Sequence, residues 1–408
     1  MKKKVIVLVI WMLFLMSGCT SETADHSADN SAMDNTASDL SDSGSGAAAD
    51  IMDESEQLAE EYGEVYRAAL KDGTLAQLDT IREIMESLGV SGYAVVDNEN
   101  QINMIHPEVI REFDDSVKSG QSAETTLLIV TDDGGFVRYD LTVSDGVVQV
   151  ETSRISWENG VPQAEKLDSY EAYTWKMDEE NGYLYIEKEQ PAGYDGPIEY
   201  TAVRVEPLDE ELRELNRKYI LPAGYRRTNL FLTDWDETDY GELDFYDLFE
   251  EFYFSEYGKE IPYKSDFDKL TYEVPAEEFE AVIGQVIEIE PETLRAYTVY
   301  DSGSSSYVYT TRCREDWGHP CFVKPEVIGY EKLDDGTIRL KVSSVSQEDD
   351  PEHTFSHEVV IRLLADGGYQ YVSNHILTVD HETDFDWYSR RLTVQQWEEK
   401  YGFSDEVK

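Results

Sequence analysis

The strongest constraint on the fold of this chain is a series of Asx-Gly dipeptides set between runs rich in Val, Ile, Thr and Tyr. Asp133-Gly134, Asp145-Gly146, Asn159-Gly160 and Asn181-Gly182 follow one another in the first half, and Asp335-Gly336 and Asp366-Gly367-Gly368 come later. Tight hairpins need left-handed backbone at the turn, which Asn, Asp and Gly adopt most readily, so the sequence predicts antiparallel meanders. The strands expected in the first half are 125–131, 136–143, 147–157, 170–177, 183–189 and 200–205.

Helical periodicity flanks these meanders. Leu58, Tyr62, Val65, Tyr66 and Ala69 fall on one face of a helix over 56–70, which Asp72-Gly73 stops. Thr74 and Gln77 have capping-box spacing ahead of the stripe Leu78, Ile81, Met85 and Leu88. Further helices are expected from Pro207 to Lys218, over 242–257, from Pro275 to Gly284, from Pro291 to Tyr297, and from Thr393 and Gln396 onward. In 242–257 the stripe Phe245, Leu248, Phe249 and Phe252 faces inward, which leaves Asp244, Asp247 and Glu251 on a face expected to be solvated. The fold class is therefore α+β. About 350 residues exceed what one core usually serves, so two domains are expected, 56–206 and 207–382, followed by an extension over 383–408. In each domain the helices are expected to pack on one face of a meander.

In the last hairpin the register can be argued. Phe355, Val359, Ile361 and Leu363 are apolar at odd positions before the turn, as are Tyr369, Tyr371, Leu377 and Val379 after it. Matching those faces requires an odd loop, three residues with a glycine in the left-handed position. That register puts His357 and His375 on one face, diagonal to each other, within reach of a shared ligand or ion. His353 and Asp380-His381 would lie just beyond the same strands. The competing reading is a pair of histidines hydrogen-bonded at a core.

The acidic loop Asp234, Asp236, Asp239 invites comparison with calcium sites, but it fails the EF-hand pattern, because Asp239 stands where glycine is needed and Phe245 where the bidentate Glu is needed. Capping of the following helix is the simpler role. There is no Gly-x-Ser-x-Gly elbow, Walker loop or dinucleotide fingerprint, so no cofactor is expected. A formal net charge of -52 disfavours nucleic acid as a partner.

The N-terminus carries an address. Lys2 to Lys4 precede an apolar run from Val5 to Met16, too short to span a bilayer and built like a secretory signal. Ser17 and Gly18 before Cys19 resemble the lipobox of bacterial lipoproteins, with Met16 in place of the usual leucine. The resemblance implies a signal peptide over 1–18 and lipidation of Cys19, so that the chain meets the membrane through lipid. Residues 19–55 are rich in Ser, Asp, Ala and Gly and cannot bury enough apolar surface to fold, so they read as a tether. Outside the membrane, Cys313 and Cys321 read as a disulfide; free thiols, or a metal site with His319, are the competing readings.

The second half carries a further resemblance. Tyr219-Ile220-Leu221-Pro222-Ala223-Gly224-Tyr225, Asp234-Trp235-Asp236, Phe355-Ser356-His357-Glu358 and Tyr371-Val372-Ser373-Asn374-His375 are similar to segments of a family of uncharacterised Gram-positive lipoproteins. That resemblance implies no activity and no site. The function expected is a non-catalytic binding or interaction module for a cell-wall glycan, a peptide or a protein; the alternative is an extracytoplasmic hydrolase, possibly metal-assisted.

Overall fold

The computed structural model describes residues 44–190, 192–193, 200–264, 271–312, 323–346, 355–378, 385, 387–393, 395–396 and 399. The first half is built on a seven-stranded sheet in simple chain order, β1 (Ala94–Asp97), β2 (Ala123–Val130), β3 (Phe136–Ser144), β4 (Val147–Glu158), β5 (Val161–Asp178), β6 (Tyr183–Lys188) and β7 (Tyr200–Arg204). The Asx-Gly turns fall where the sequence puts them, with Asp145 and Asn159 at positive φ beside Gly146 and Gly160. Every pairing is antiparallel except β1 with β2.

Helices α1 (Gly44–Glu61), α2 (Gly63–Asp72) and α3 (Leu78–Gly89) precede the sheet, and α4 (Pro107–Ser119) lies between β1 and β2. The helix expected over 56–70 is thus broken at Tyr62, and it starts earlier than expected: α1 takes in residues 44–55 of the stretch read as a tether, and Ser55 is fully buried. The Thr74–Gln77 pair forms a turn ahead of α3, with the Thr74 hydroxyl on Ala69 O. Helix α4 and β1 are not foreseen from the sequence, and they change the layering. Alternate residues of β2 enter different cores: Leu127 and Ile129 pack with Ile110 and Phe113 of α4, and Leu128 and Val130 pack with Leu58, Ile84 and Leu88 of α1 and α3. Both faces of the sheet are covered, not one. This explains why all four residues of β1 are buried.

The second half runs α5 (Glu210–Leu215), a π-turn over 216–220, β8 (Trp235–Asp236), α6 (Phe245–Tyr257), β9 (Thr271–Pro275), α7 (Ala276–Val286), α8 (Pro291–Ala296), β10 (Tyr300–Asp301), β11 (Ser306–Thr310), β12 (Val323–Lys332), β13 (Ile338–Ser346), β14 (Ser356–Leu363) and β15 (Tyr369–Thr378). β12 to β15 form the second meander, and β8 closes it beside β15; β10, β11 and β9 make a separate three-stranded sheet. The architecture is mixed α+β. One aromatic core joins α6, α7 and both of these sheets, and Phe385, Trp387 and Tyr388 from the end of the described chain pack onto it. Asp244 caps α6, its carboxylate accepting from the Tyr246 and Asp247 amides.

The described residues from Ala49 onward belong to one compact unit, and buried polar bonds tie its two meanders together. Tyr183 of β6 donates to Glu326 Oε1 of β12 at 2.6 Å, and Arg204 of β7 pairs with Glu326 Oε2 at 3.0 Å. Arg213 of α5 donates to Asn100 O and twice to Asn103 Oδ1 in the loop after β1. Asn216 reaches Pro325 O, and Lys324 reaches Asn98 O. Burial raises the Glu326 carboxyl, although Arg204 and Tyr183 oppose the shift.

A buried carboxylate that loses its guanidinium is left uncompensated. Arg204→Met should therefore cost about 3–5 kcal/mol, whereas Arg204→Met with Glu326→Leu should cost much less. Urea unfolding of the two variants checks this.

Candidate functional site

The two histidines singled out by the sequence sit on β14 and β15. The hairpin between them turns as expected in parity: Gly367 N bonds Leu364 O, Leu364 N bonds Gly368 O, and Gly367 has φ +95°. The loop is therefore three residues, 365–367. Farther along, the pairing slips from Ile361↔Tyr371 to Val360↔Ser373, so Val372 is an extra residue that moves Ser373 to Ile376 by one, and a second slip, to Ser356↔Thr378, leaves Leu377 extra in turn. A one-residue slip exchanges faces. Glu358 pairs with His375 and His357 with Ile376, which puts the histidines on opposite faces, contrary to the shared-ligand expectation.

His357 is fully buried. Its Nε2 lies 2.7 Å from Tyr225 Oη and its Nδ1 2.6 Å from Asn374 Oδ1. Asn374 donates its own amide to Thr233 O, so its oxygen faces the ring, and the network assigns a neutral imidazole that donates from Nδ1 and accepts at Nε2. Burial pushes His357 down to about 4, against the bond to Asn374. His375, by contrast, is 65% exposed and pairs with Asp234 at 3.2 Å.

The acidic loop folds in on itself. Asp236 Oδ1 accepts from the Thr238 amide, the Thr238 hydroxyl and the Asp239 amide, and these bonds, the hydroxyl first, hold its carboxyl below the usual range. Asp239 Oδ1 accepts from the Gly241 amide and from Tyr297 Oη, and Asp234 Oδ1 accepts from the Ile376 amide. Gly241 is needed where it stands: its φ is +52°, and a Cβ there would lie 2.7 Å from Asp234 O. The loop places β8 against β15 and buries Trp235, whose indole donates to Leu230 O. Asp244, not these residues, caps the helix. Among the described residues no three His, Cys, Asp or Glu side chains converge as a metal site. Cys19, Cys313, Cys321, His353 and His381 lie outside the described residues.

The most concentrated buried charge is one the sequence assigned to a wet face. Asp247, in the first turn of α6, is 1% exposed. Arg312 donates Nε to its Oδ1 at 2.8 Å and Nη2 to its Oδ2 at 2.5 Å. Arg391 donates Nη2 to Oδ1 at 2.5 Å, and Tyr388 Oη donates to Oδ2 at 2.7 Å. Arg391 also reaches Glu250 and Thr310 O, and Arg312 reaches Ser389 O. Burial alone would raise the Asp247 carboxyl, but Arg391 and Arg312 outweigh it and hold it below the usual range. Burial and the neighbouring Asp247 push Asp244 up to about 6. Both Asp247 oxygens are saturated by donors, so the group cannot take a proton from a substrate without breaking the clasp. Its partners lie 65 and 144 positions away, and the only local signal is an acid in a helix's first turn.

Comparison with protein families matches residues 48–391 to a family of unknown function, DUF6070. The chain belongs to that family. The match ends at Arg391, so it takes in the whole clasp around Asp247. No curated protein and no solved structure matches the chain.

Two buried groups of the family fold titrate with opposite sign. His357 has a folded value of about 4 against 6.5, so the unfolded chain binds more protons between those values and stability falls as pH drops through that window. Asp244, at about 6 against 3.8, gains stability as pH falls through 6. His357→Gln should remove the first effect, worth about 3 kcal/mol between pH 7 and 4, and thermal unfolding across that range checks it. Arg391→Met should cost about 3–5 kcal/mol at pH 7, read by urea unfolding.

Proposed function

We propose that this protein is a lipid-anchored, extracytoplasmic binding or interaction module without catalytic chemistry of its own. The observation that carries the reading is the N-terminal segment, where an apolar run too short to span a bilayer ends at Ser17-Gly18-Cys19 and a Ser/Asp/Ala/Gly-rich stretch leads from there to α1. Two acyl chains on one cysteine give a stable anchor without any spanning helix. Among the described residues no helix is long and apolar enough to cross a membrane, which is compatible with such an anchor. A Gram-positive cell surface, with a cell-wall glycan, peptide or protein as partner, suits the same address.

The non-catalytic part of the reading draws support from the buried titratable groups. Asp247, His357 and Glu326 each have their acceptors or donors engaged by other side chains of the protein. A cluster of His353, His357 and His375 would favour the hydrolase alternative, but His357 and His375 face opposite ways across β14 and β15.

Cys19→Ala should abolish incorporation of an alkyne-tagged fatty acid and release the chain from membranes. The unaltered chain should be labelled, sediment with membranes and be digested by protease added to intact cells. Labelling that persists without Cys19, or protection from protease in intact cells, would overturn the proposal.

A further inference from the structure

At the C-terminal end of α6 the chain turns through Gly258, at φ +63°, and carries Lys259 back over the last turn of the helix. The Lys259 ammonium lies 5.9 Å from the ring centroid of Tyr253 and 5.6 Å from that of Tyr257. The two rings are 4.8 Å apart and inclined at 43°, so they form a wedge with a cation against it. Lys188, over Tyr170, is also bonded to Asp168. Lys259 has no ion-pair partner among the described residues, and what neighbours it is ring faces.

The surroundings make those faces unusually attractive to a cation. Tyr253 Oη donates to Glu278 Oε1 at 2.7 Å and Tyr263 Oη to Glu278 Oε2 at 2.9 Å. A phenol that donates to a carboxylate gains electron density in its ring, and a more negative ring face holds a cation more strongly. Glu256 and Glu277 add negative field at Tyr257. Tyr257 is 36% exposed and Tyr253 only 1%, so solvent reaches the wedge from the Tyr257 side, where Lys259 lies. The acidic chain draws cations to its surface in general.

We propose that the Tyr253–Tyr257 wedge is a binding site for an organic ammonium group, and that Lys259 occupies it as an internal stand-in until a ligand displaces it. This deepens the binding reading given above and rests on it, supplying the chemistry of the group recognised. A quaternary ammonium and a lysine-like primary amine share that chemistry. The lysine stem is long and flexible enough to swing aside, while both rings stay fixed by α6 and Glu278.

The test is ligand-observed NMR with the full chain in an uncharged detergent, using tetramethylammonium and n-butylammonium, with sodium at equal ionic strength as reference. Lys259→Ala should bind the organic cations about fivefold more tightly, since the resident competitor is gone, and Tyr257→Ala about fivefold more weakly. Tyr257→Phe should keep most of the affinity, because it keeps the ring face. Preference for tetramethylammonium would identify a quaternary group as the ligand class, and preference for butylammonium a lysine-like amine; either supports the site. Organic cations that bind Lys259→Ala no better than sodium does, or that ignore Tyr257→Ala, overturn it. That failure would leave the anchoring and the broader binding reading standing, since those are judged by labelling and protease access on cells.

Discussion

Buried arginine holds this acidic fold together. The chain has 34 basic residues against 86 acidic ones, yet Arg138, Arg204, Arg213 and Arg312 are each at most 6% exposed, and the Arg391 side chain is 5% exposed. Each joins segments distant in sequence. Arg138 binds Asp140 and Glu54 of α1, Arg204 binds Glu326 across the two meanders, Arg213 fixes the loop after β1, and Arg312 and Arg391 converge on Asp247. Guanidinium suits this use because it is planar, always charged, and able to bond two acceptors at once. Such pairs add little net stability over an apolar core, but they make mispacking expensive, because each misplaced partner strands a charge.

The sequence was most legible where structure is local. Asx-Gly turns announced the meanders because the turn chemistry lies in two adjacent residues, and β3, β4 and β6 fall close to their expected bounds, while β5 begins at Val161, well before the expected 170. The amphipathic stripe of α6 was equally clear. Its polar face was misread, because nothing near Asp247 signals that arginines from positions 312 and 391 come to rest on it. Exposure follows from tertiary partners, not from polarity.

The histidine pair shows a subtler limit. Parity across the last turn was inferred correctly from the alternation of apolar residues, and the turn is the odd one that parity demands. A bulge at Val372 then reversed the side chains from Ser373 to Ile376, His375 among them, before a second slip at Leu377. Bulges leave no compositional mark comparable to Asn-Gly or Pro, so a site assembled from residues on both sides of one is beyond reading by alternation. The same holds for β1, whose parallel partner is reached only through α4, and whose short apolar run gives no hint that both faces of the sheet are covered.

The clasp on Asp247 also orders events in time. A chain made N-terminus first has its α6 sequence complete long before residues 388 to 391 exist, so the Asp247 carboxylate must wait for Tyr388 and Arg391 before it is fully paired. Until then, burying that face of α6 would confine a charge with too few donors, and the growing chain has reason to leave it wet. Closure of the second core around α6 is thereby made to depend on residues 141 and 144 positions beyond Asp247.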